Sequence, residues 1–279
     1  MSTLAGGGVR KMLSELAEPV RYALPLGEQA VPLNPLLGQV LTLRFEGEIR
    51  CIHCDRKTSK SFNQGYCYPC FKRLARCDSC IVSPEKCHFH AGTCREPEWG
   101  LEHCMIDHIV YLAQTSGVKV GITRGSQVPT RWIDQGASQA LPLFRVASRL
   151  HSGLVEVLLA QRIGDRTNWQ AMLKGAGPPR DLPDEAARLL AACRGAIDGL
   201  AAEHGLTAIQ RLADARPTSI SYPVLESPSK VTSLNLDKTP VVGGTLLGIK
   251  GQYLLFDTGV INMRKYGGYR VTLTQSTEV

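Results

Sequence analysis

Nine of the ten cysteines lie between Cys51 and Cys104, and the first four form two Cys-x2-Cys pairs. The pairs are Cys51 with Cys54 and Cys67 with Cys70, separated by twelve residues. Two such pairs joined by a hairpin can place four thiolates around one tetrahedral zinc ion. A redox Cys-x2-Cys motif normally occurs singly, and a disulfide framework is typical of short secreted chains. The spacing therefore predicts a structural zinc site.

A second cysteine cluster follows without a break, with histidines interleaved. Its candidate ligands are Cys77, Cys80, Cys87, Cys94, Cys104, His88, His90, His103 and His108. The default set is Cys77, Cys80, Cys87 and Cys94, because four thiolates make the better closed structural site. Cys104 and His108, four residues apart, are an alternative source of one ligand. Spacing leaves this choice open, and each histidine taken alone is more commonly a hydrogen-bonded or solvated residue.

The net charge of +7 is concentrated in the middle of the 279-residue chain. Residues 109–175 carry eight basic and three acidic side chains. A local surplus of this kind favours a surface for a polyanion such as nucleic acid. A solvated basic face without a ligand is the alternative interpretation.

The composition excludes a membrane-spanning class and predicts a globular protein. No apolar run approaches the roughly 18 residues of a membrane helix, and residues 1–20 lack a signal-peptide core. With 43% hydrophobic residues, the chain can bury sizeable cores. Retained thiols then suggest a cytoplasmic location. Cys193 shares helical spacing with Leu190 and Ile197, so it is expected to be a buried apolar residue.

Periodicity predicts the elements that must position these residues. Residues 8–18 have the spacing of a short amphipathic helix, and residues 39–48 alternate as a strand that leads to Cys51. Beyond the cysteines, the pattern predicts a hairpin with strands over 109–113 and 118–122 and a turn at 114–117. A helix beginning at 131 and a strand over 143–147 are expected next. A second helix is predicted over 153–163, with Ser152 as its cap.

The last hundred residues change from helical to β periodicity. The segment 175–179, rich in glycine and proline, is the best linker candidate, and a helix is predicted over 183–204 with Gly205 as its end. Strands are predicted over 241–249, 253–257, 260–263 and 269–273. These strands could pair with 39–48 in one small sheet or barrel.

Residues 109–168 resemble the GIY-YIG nuclease domain. The resemblance is carried by Ile109-Val110-Tyr111, Lys119-Val120-Gly121-Ile122-Thr123, Arg131, Glu156 and Asn168, in that order. It implies that two strands present the triplets, that Arg131 lies on the next helix, and that Glu156 binds one divalent ion, Mg²⁺ or Mn²⁺. The chain departs from the family at Lys119, which replaces a tyrosine, and at Ile109, which replaces a glycine. The seven-residue spacer between the triplets is also short.

The chemistry of these residues suits phosphodiester hydrolysis. Glu156 interrupts an apolar helix face, where a charge is costly unless it binds something. Arg131 can clamp phosphate, Tyr111 can orient or deprotonate water, and Lys119 can carry a proton if its pKa falls. The alternative for Glu156 is an ion pair with Arg149 or Arg162. The alternative for Tyr111 and Lys119 is that they are ordinary hairpin residues, one buried and one exposed. Nucleic-acid contacts are expected from Arg124, Arg145 and Asn168.

The whole chain also resembles a bacterial protein family of unknown function in which a zinc-binding module precedes a GIY-YIG-like domain. That similarity is carried by residues 65–71, 92–97, 118–124 and 131–136. The expected fold class is α+β, with a zinc-ribbon-like module, a GIY-YIG-like α/β domain and a C-terminal β-rich region. The expected units are 1–50 (helix and β segment), 51–108 (zinc module), 109–175 (GIY-YIG-like), 176–216 (helical connector) and 217–279 (β region).

The leading hypothesis is a zinc-binding, divalent-metal-dependent nuclease with two structural zinc ions. The rival is a non-catalytic nucleic-acid-binding or protein-interaction adaptor that retains the fold, which the lysine at position 119 favours. The chain leaves open whether DNA or RNA is bound, what the specificity is, and which oligomeric state forms.

Overall fold

The computed structural model describes residues 2–163, 168–175, 177 and 180–276, and these residues form a mixed α+β fold with several sheets. The strands are β1 (Ser2–Gly8), β2 (Leu13–Glu15), β3 (Arg21–Leu26), β4 (Gln29–Pro32), β5 (Val40–Arg50), β6 (Lys57–Thr58), β7 (His108–Gln114), β8 (Val118–Arg124), β9 (Gln139–Val146), β10 (Ile209–Arg211), β11 (Thr218–Ser219), β12 (Val241–Lys250), β13 (Tyr253–Phe256), β14 (Gly259–Asn262) and β15 (Tyr269–Gln275). The helices are α1 (Tyr68–Arg73), α2 (Pro97–His103), α3 (Thr130–Asp134), α4 (Arg149–Ala160), α5 (Trp169–Lys174) and α6 (Leu182–His204).

Strands from both ends of the described chain form one antiparallel sheet. Its order is β1-β15-β5-β12-β13-β14, with β6 added to β5. Leu43 on β5 pairs with Leu273 on one side and with Val242 on the other. The alternation over 39–48 buries Leu41 and Leu43 on the core face of this sheet. The C-terminal strands thus lie on both sides of the strand that leads to Cys51.

The helix expected over residues 8–18 is wrong. Val9 forms a β-bridge with Leu26, and the residues of β2 pair with β3. Val9 and Met12 are fully buried, whereas Leu13 is 57% exposed and Leu16 is 40% exposed, so these side chains do not share one apolar face. Partner strands satisfy the backbone here, and tertiary hydrogen bonding outweighs the coincidental helical spacing.

Strand β7 is buried between two hydrophobic cores. It pairs along its length with β8 on one edge and with β9 on the other. The hairpin expected over 109–122 is therefore confirmed. Tyr111 and Ala113 face a large core that contains Trp132 of α3 and the N- and C-terminal strands. Val110 and Leu112 face a second core formed with α4 and α6.

Helix α4 begins four residues earlier than expected, and its cap is Ser148 rather than Ser152. The Ser148 side chain accepts a hydrogen bond from the backbone N–H of His151. Ser152 lies inside the helix, where its hydroxyl donates to the carbonyl of Arg149. A capping serine and a serine that bonds back within the helix look alike in sequence, and the extended backbone of Ser148 decides between them.

Helix α6 agrees with the helix expected over 183–204. Asp181 caps it by accepting from the N–H of Asp184, and Gly205 ends it with a φ of 96°. Cys193 is buried on its inner face, as expected. Of the linker candidate 175–179, residues 176, 178 and 179 lie outside the described residues. None of the helices in the described residues has the length and apolar character needed to cross a membrane.

Gly153 brings α4 into direct contact with the cysteine-rich segment. A Cβ at this position would lie 2.3 Å from the backbone nitrogen of Glu85 and 2.6 Å from the carbonyl carbon of Pro84. Backbone atoms cannot yield as the tip of a flexible side chain can. The helix therefore requires glycine at this contact.

We expect Gly153→Ala to lower the free energy of unfolding by about 1–3 kcal/mol, because the added methyl group overpacks this contact. The matched control is Gly199→Ala on α6, where a Cβ would meet nothing within 4 Å. Since alanine favours a helix over glycine, the control should gain roughly 0.5–1 kcal/mol. Urea unfolding of both variants measures the difference, and equal effects would contradict the packing argument.

Candidate functional site

The first four cysteines form a cluster with the dimensions of a zinc site. The sulfurs of Cys51, Cys54, Cys67 and Cys70 all lie within 4.8 Å of one another. The sulfurs of Cys54 and Cys67 are 3.7 Å apart. Two thiolates on one tetrahedral zinc ion lie about 3.8 Å apart, given a zinc–sulfur distance of about 2.3 Å. The cluster is therefore compatible with a structural zinc site, as the spacing predicted.

The surrounding backbone prepares these sulfurs for a metal ion. Cys51 directly follows β5, and Cys67 precedes the first residue of α1. Burial by itself would raise the pKa of the Cys51 thiol, but hydrogen bonds from the backbone N–H groups of Cys67 and Cys54 help to lower it to about 6. Gly65, with a φ of 145°, packs against Ile52, where a Cβ would lie 2.7 Å from its side chain. The hairpin between the two pairs closes only with glycine there.

The second cluster differs from the default set of the sequence analysis. One small enclosed pocket is lined by Cys80, Cys87, Cys94 and Cys104. Cys77 instead packs with Cys51, Cys67 and Cys70 in the core of the first cluster. A different group, formed by Asp78, Cys80 and His88, has its ligand atoms within 4.8 Å of one another. The structure thus places Cys104 where spacing alone favoured Cys77.

The histidines of the segment make ordinary contacts. His103 stacks on Trp99 with ring centroids 4.4 Å apart. His108 is fully buried, and its Nδ1 lies 2.8 Å from the carbonyl of Ile106. Burial lowers the pKa of His108 to about 4, so this side chain is neutral at physiological pH.

Tyr111 lies at the centre of the GIY-YIG-like segment and is fully buried. Its hydroxyl donates to Oε1 of Gln135 at 3.1 Å, and its ring packs edge-on against Trp132. Gly121, directly opposite on β8, leaves room for the phenol, because a Cβ there would lie 2.8 Å from the hydroxyl oxygen. Gly121 of the second triplet therefore leaves the space that the side chain of Tyr111, in the first triplet, occupies.

Arg131 and Glu156 lie close enough to Tyr111 to act on its charge. Burial is the main reason that the pKa of Tyr111 is raised. The guanidinium of Arg131 opposes this shift by charge and hydrogen bonding, whereas the carboxylate of Glu156 adds to it. Arg131 comes from α3 and Glu156 from α4, so three separate elements bring these groups together.

Lys119 shares the sheet face of Tyr111. It pairs with Ala113 in the β7–β8 ladder, two residues along from the pair formed by Tyr111 and Gly121. Residues two apart on a strand point to the same face, so Lys119 is a diagonal neighbour of Tyr111. The register therefore places Lys119 on the same sheet face as Tyr111.

The three predicted nucleic-acid contacts come from the end of β8, the end of β9 and the cap of α5. Arg124 is at the opposite end of β8 from Lys119. Arg145 is exposed and forms an ion pair with Asp107, to which its Nε donates at 2.7 Å. The side chain of Asn168 caps α5 by accepting from two backbone N–H groups. In this conformation Arg145 and Asn168 are engaged in structural contacts.

Arg264 is a candidate residue that sequence reasoning missed. It lies in a short turn after β14, and its Nε donates to Oε1 of Gln64 in the loop between the two cysteine pairs. Burial lowers the pKa of Arg264, and the positive charge of Arg131 lowers it further, so the two guanidinium groups are neighbours. A basic residue about 130 positions from Arg131 gives no local signal. The Tyr111 partner Gln135 was detectable, since it lies four residues after Arg131.

Residues 38–271 match the family described as protein of unknown function DUF2797. The chain belongs to this family. The match begins just before β5 and ends within β15, so β1–β4 lie outside it. No curated protein and no solved structure is significantly similar to the chain. The family description carries no activity, and the resemblance of residues 109–168 to GIY-YIG nucleases stays a prediction.

We expect Cys54→Ser to remove about one zinc equivalent per chain and to lower the midpoint of thermal unfolding, because structural metal binding contributes to folding. His53→Ala is the matched control, since His53 is an exposed residue of the same knuckle outside the sulfur cluster. It should retain the zinc content of the wild type. Elemental analysis and thermal unfolding measure both effects, and a folded wild type without zinc would refute the site.

Proposed function

We propose that this protein is a zinc-binding, divalent-metal-dependent phosphodiesterase that cleaves nucleic acid. The observation that carries the proposal is the convergence of Tyr111, Arg131 and Glu156 from a strand and two helices. In the proposed protein, two zinc ions are structural, one at the first four cysteines and one within residues 77–108. The GIY-YIG-like assignment of residues 109–168 belongs to this proposal.

The two guanidinium groups are the proposed phosphate-binding elements. Arg131 and Arg264 are neighbours, and their positive charges repel each other. An anion bound between them would offset that repulsion. A guanidinium matches phosphate oxygens in bidentate geometry and stabilises the negative charge that builds up during phosphoryl transfer. This arrangement supports a site that attracts a phosphodiester.

Glu156 is the proposed ligand of the catalytic divalent ion. It is partly buried on α4, close to Tyr111. A single carboxylate suits Mg²⁺ or Mn²⁺, which commonly keep several waters and use substrate phosphate oxygens as further ligands. When bound, the ion would neutralise charge on those oxygens.

Tyr111 has a positioning role in this proposal. Its raised pKa keeps the phenol protonated near neutral pH, and its fully buried side chain donates to Gln135. Arg131 acts on the phenol by charge and hydrogen bonding, so Tyr111 would orient the guanidinium. The sequence analysis expected Tyr111 to orient or deprotonate water, and the proposed positioning of Arg131 by the buried phenol replaces that role.

The cysteine module supports the site from the opposite side. Gln64 lies between the second and third zinc ligands and holds Arg264 by the hydrogen bond to its Nε. The backbone of Gly267 also packs on Gln64, since a Cβ there would lie 2.2 Å from the carbonyl oxygen of Gln64. The first zinc loop therefore orders the turn that presents Arg264.

A non-catalytic nucleic-acid-binding adaptor is the second candidate. It is favoured by Lys119 at the position of a tyrosine and by the complete burial of Tyr111. Such a protein would keep the paired arginines and bind phosphate without hydrolysing it. The two candidates differ in turnover and agree in binding.

We expect Glu156→Gln to reduce cleavage by about a hundredfold or more, because the neutral amide no longer holds the divalent ion. Binding and the thermal midpoint should stay close to those of the wild type. The measurement is cleavage of labelled DNA and RNA panels with Mg²⁺ or Mn²⁺. Retained binding without any wild-type cleavage would favour the adaptor, and a large stability loss in the variant would identify Glu156 as a structural ion-pair partner.

We expect Arg264→Gln to weaken nucleic-acid binding roughly tenfold, about 1.4 kcal/mol, and to reduce the salt slope by about one phosphate contact. Arg188→Gln is the control, because Arg188 is an exposed arginine paired with Asp184 on α6. It should leave affinity and slope unchanged. Fluorescence anisotropy across a salt series measures both. Equal losses in the two variants would indicate nonspecific attraction to a basic protein.

A further inference from the structure

We propose that the second zinc ion is bound by Cys80, Cys87, Cys94 and Cys104, and that it holds the start of helix α4 against the cysteine-rich segment. This inference rests on the second zinc ion of the proposed function. It does not depend on nuclease activity.

All four cysteines line one small pocket of the second cluster. Its apolar walls include Ile81, Phe89 and Trp99. Gly100 on α2 makes room for the Cys94 sulfur, because a Cβ there would lie 3.3 Å from it and 2.9 Å from Phe89. Any other residue at position 100 would press on the proposed ligand.

The four thiols lie close enough to act on one another's charge. Cys80 interacts in this way with Cys87 and Cys104, and Cys104 interacts with Cys87 and Cys94. Zinc coordination would deprotonate these thiols.

The competing ligands have other partners. Both carboxylate oxygens of Asp78 are engaged, one by the N–H of Ser79 at 2.6 Å and the other by Nε of Arg95 at 2.7 Å. The ring nitrogens of His88 face the hydroxyl of Thr93 and the carboxylate of Asp78. Asp78 and His88 are thus already paired with other groups and could support Cys80 as hydrogen-bonding neighbours. With Cys80 they are also the group of this segment whose ligand atoms lie within 4.8 Å of one another, so they form the alternative ligand set that the experiment must exclude.

Arg149 supplies a counter-charge for this centre. A zinc ion with four thiolates carries a net negative charge, and such a charge needs a nearby cation when it is buried. The Arg149 guanidinium donates to the carbonyl oxygen of Ile81 at 2.6 Å, and its backbone N–H donates to the carbonyl of Cys104 at 2.7 Å. The first residue of α4 therefore contacts both ends of the cysteine cluster.

The same helix is held a second time by the loop between two of the ligands. Gly153 packs on Pro84 and Glu85, which lie between Cys80 and Cys87. A metal ion that joins Cys80, Cys87 and Cys104 would fix this loop relative to Cys104, whose carbonyl accepts from the backbone N–H of Arg149. The position of α4 would then depend on metal.

Zinc content and zinc-edge X-ray absorption of the full chain test the ligand set. We expect about two zinc ions per chain with sulfur ligands only. Cys104→Ser should lose one zinc ion, and Cys104→His should retain it as a three-cysteine, one-histidine site. Cys77→Ser, Asp78→Asn and His88→Gln should each retain both. A wild type with only one zinc ion would refute the second centre itself.

Other outcomes would overturn only the ligand assignment. They are zinc loss in Cys77→Ser, a nitrogen or oxygen shell in the wild type together with zinc loss in His88→Gln, or full zinc content in Cys104→Ser.

Hydrogen exchange tests the clamp, by which we mean the proposed hold of the second zinc ion on the start of α4. Amides of residues 149–160 should lose protection in Cys104→Ser, while those of residues 190–200 on α6 should not. Unchanged protection of 149–160 after loss of the second zinc would refute the clamp. If Cys104→Ser fails to fold, Cys104→His and the wild-type absorption spectrum decide the assignment.

Discussion

Burial of strand β7 on both faces is the constraint on which the rest of the structure depends. One face contributes Tyr111 to the core shared with the N- and C-terminal strands, and the other contributes Leu112 to the core under α4 and α6. Because a buried strand must satisfy all its backbone groups, β8 and β9 pair with it along its whole length. Sheet, helices and terminal strands are therefore organised around seven residues.

The cysteine-rich segment contacts the candidate site from two directions. On one side it packs on α4 at Gly153 and bonds to the side chain of Arg149. On the other side the first zinc loop holds Arg264 through Gln64. The helix that carries Glu156 and the turn that carries Arg264 are thus both in contact with the same module. In the proposed enzyme, structural metal would position groups that themselves bind no zinc.

Local patterns were sufficient for much of the fold. Alternation located the β7–β8 hairpin and the C-terminal strands, and Gly205 correctly marked the end of helix α6. The pattern over residues 8–18 misled because its apolar residues serve strands and a turn, whose partners lie far along the chain. The cap at Ser148 was missed because two serines four residues apart offer the same local signal, and only backbone conformation separates them.

The sequence by itself determined the first four-cysteine cluster and the order of the candidate catalytic residues, since both are set by short spacings and by strand and helix periodicity. The tertiary structure decided that Cys104 joins the second cluster while Cys77 packs with the first, and that Arg264 lies beside Arg131. These choices depend on how distant segments pack. A local pattern carries no record of contacts between residues that are far apart in the chain.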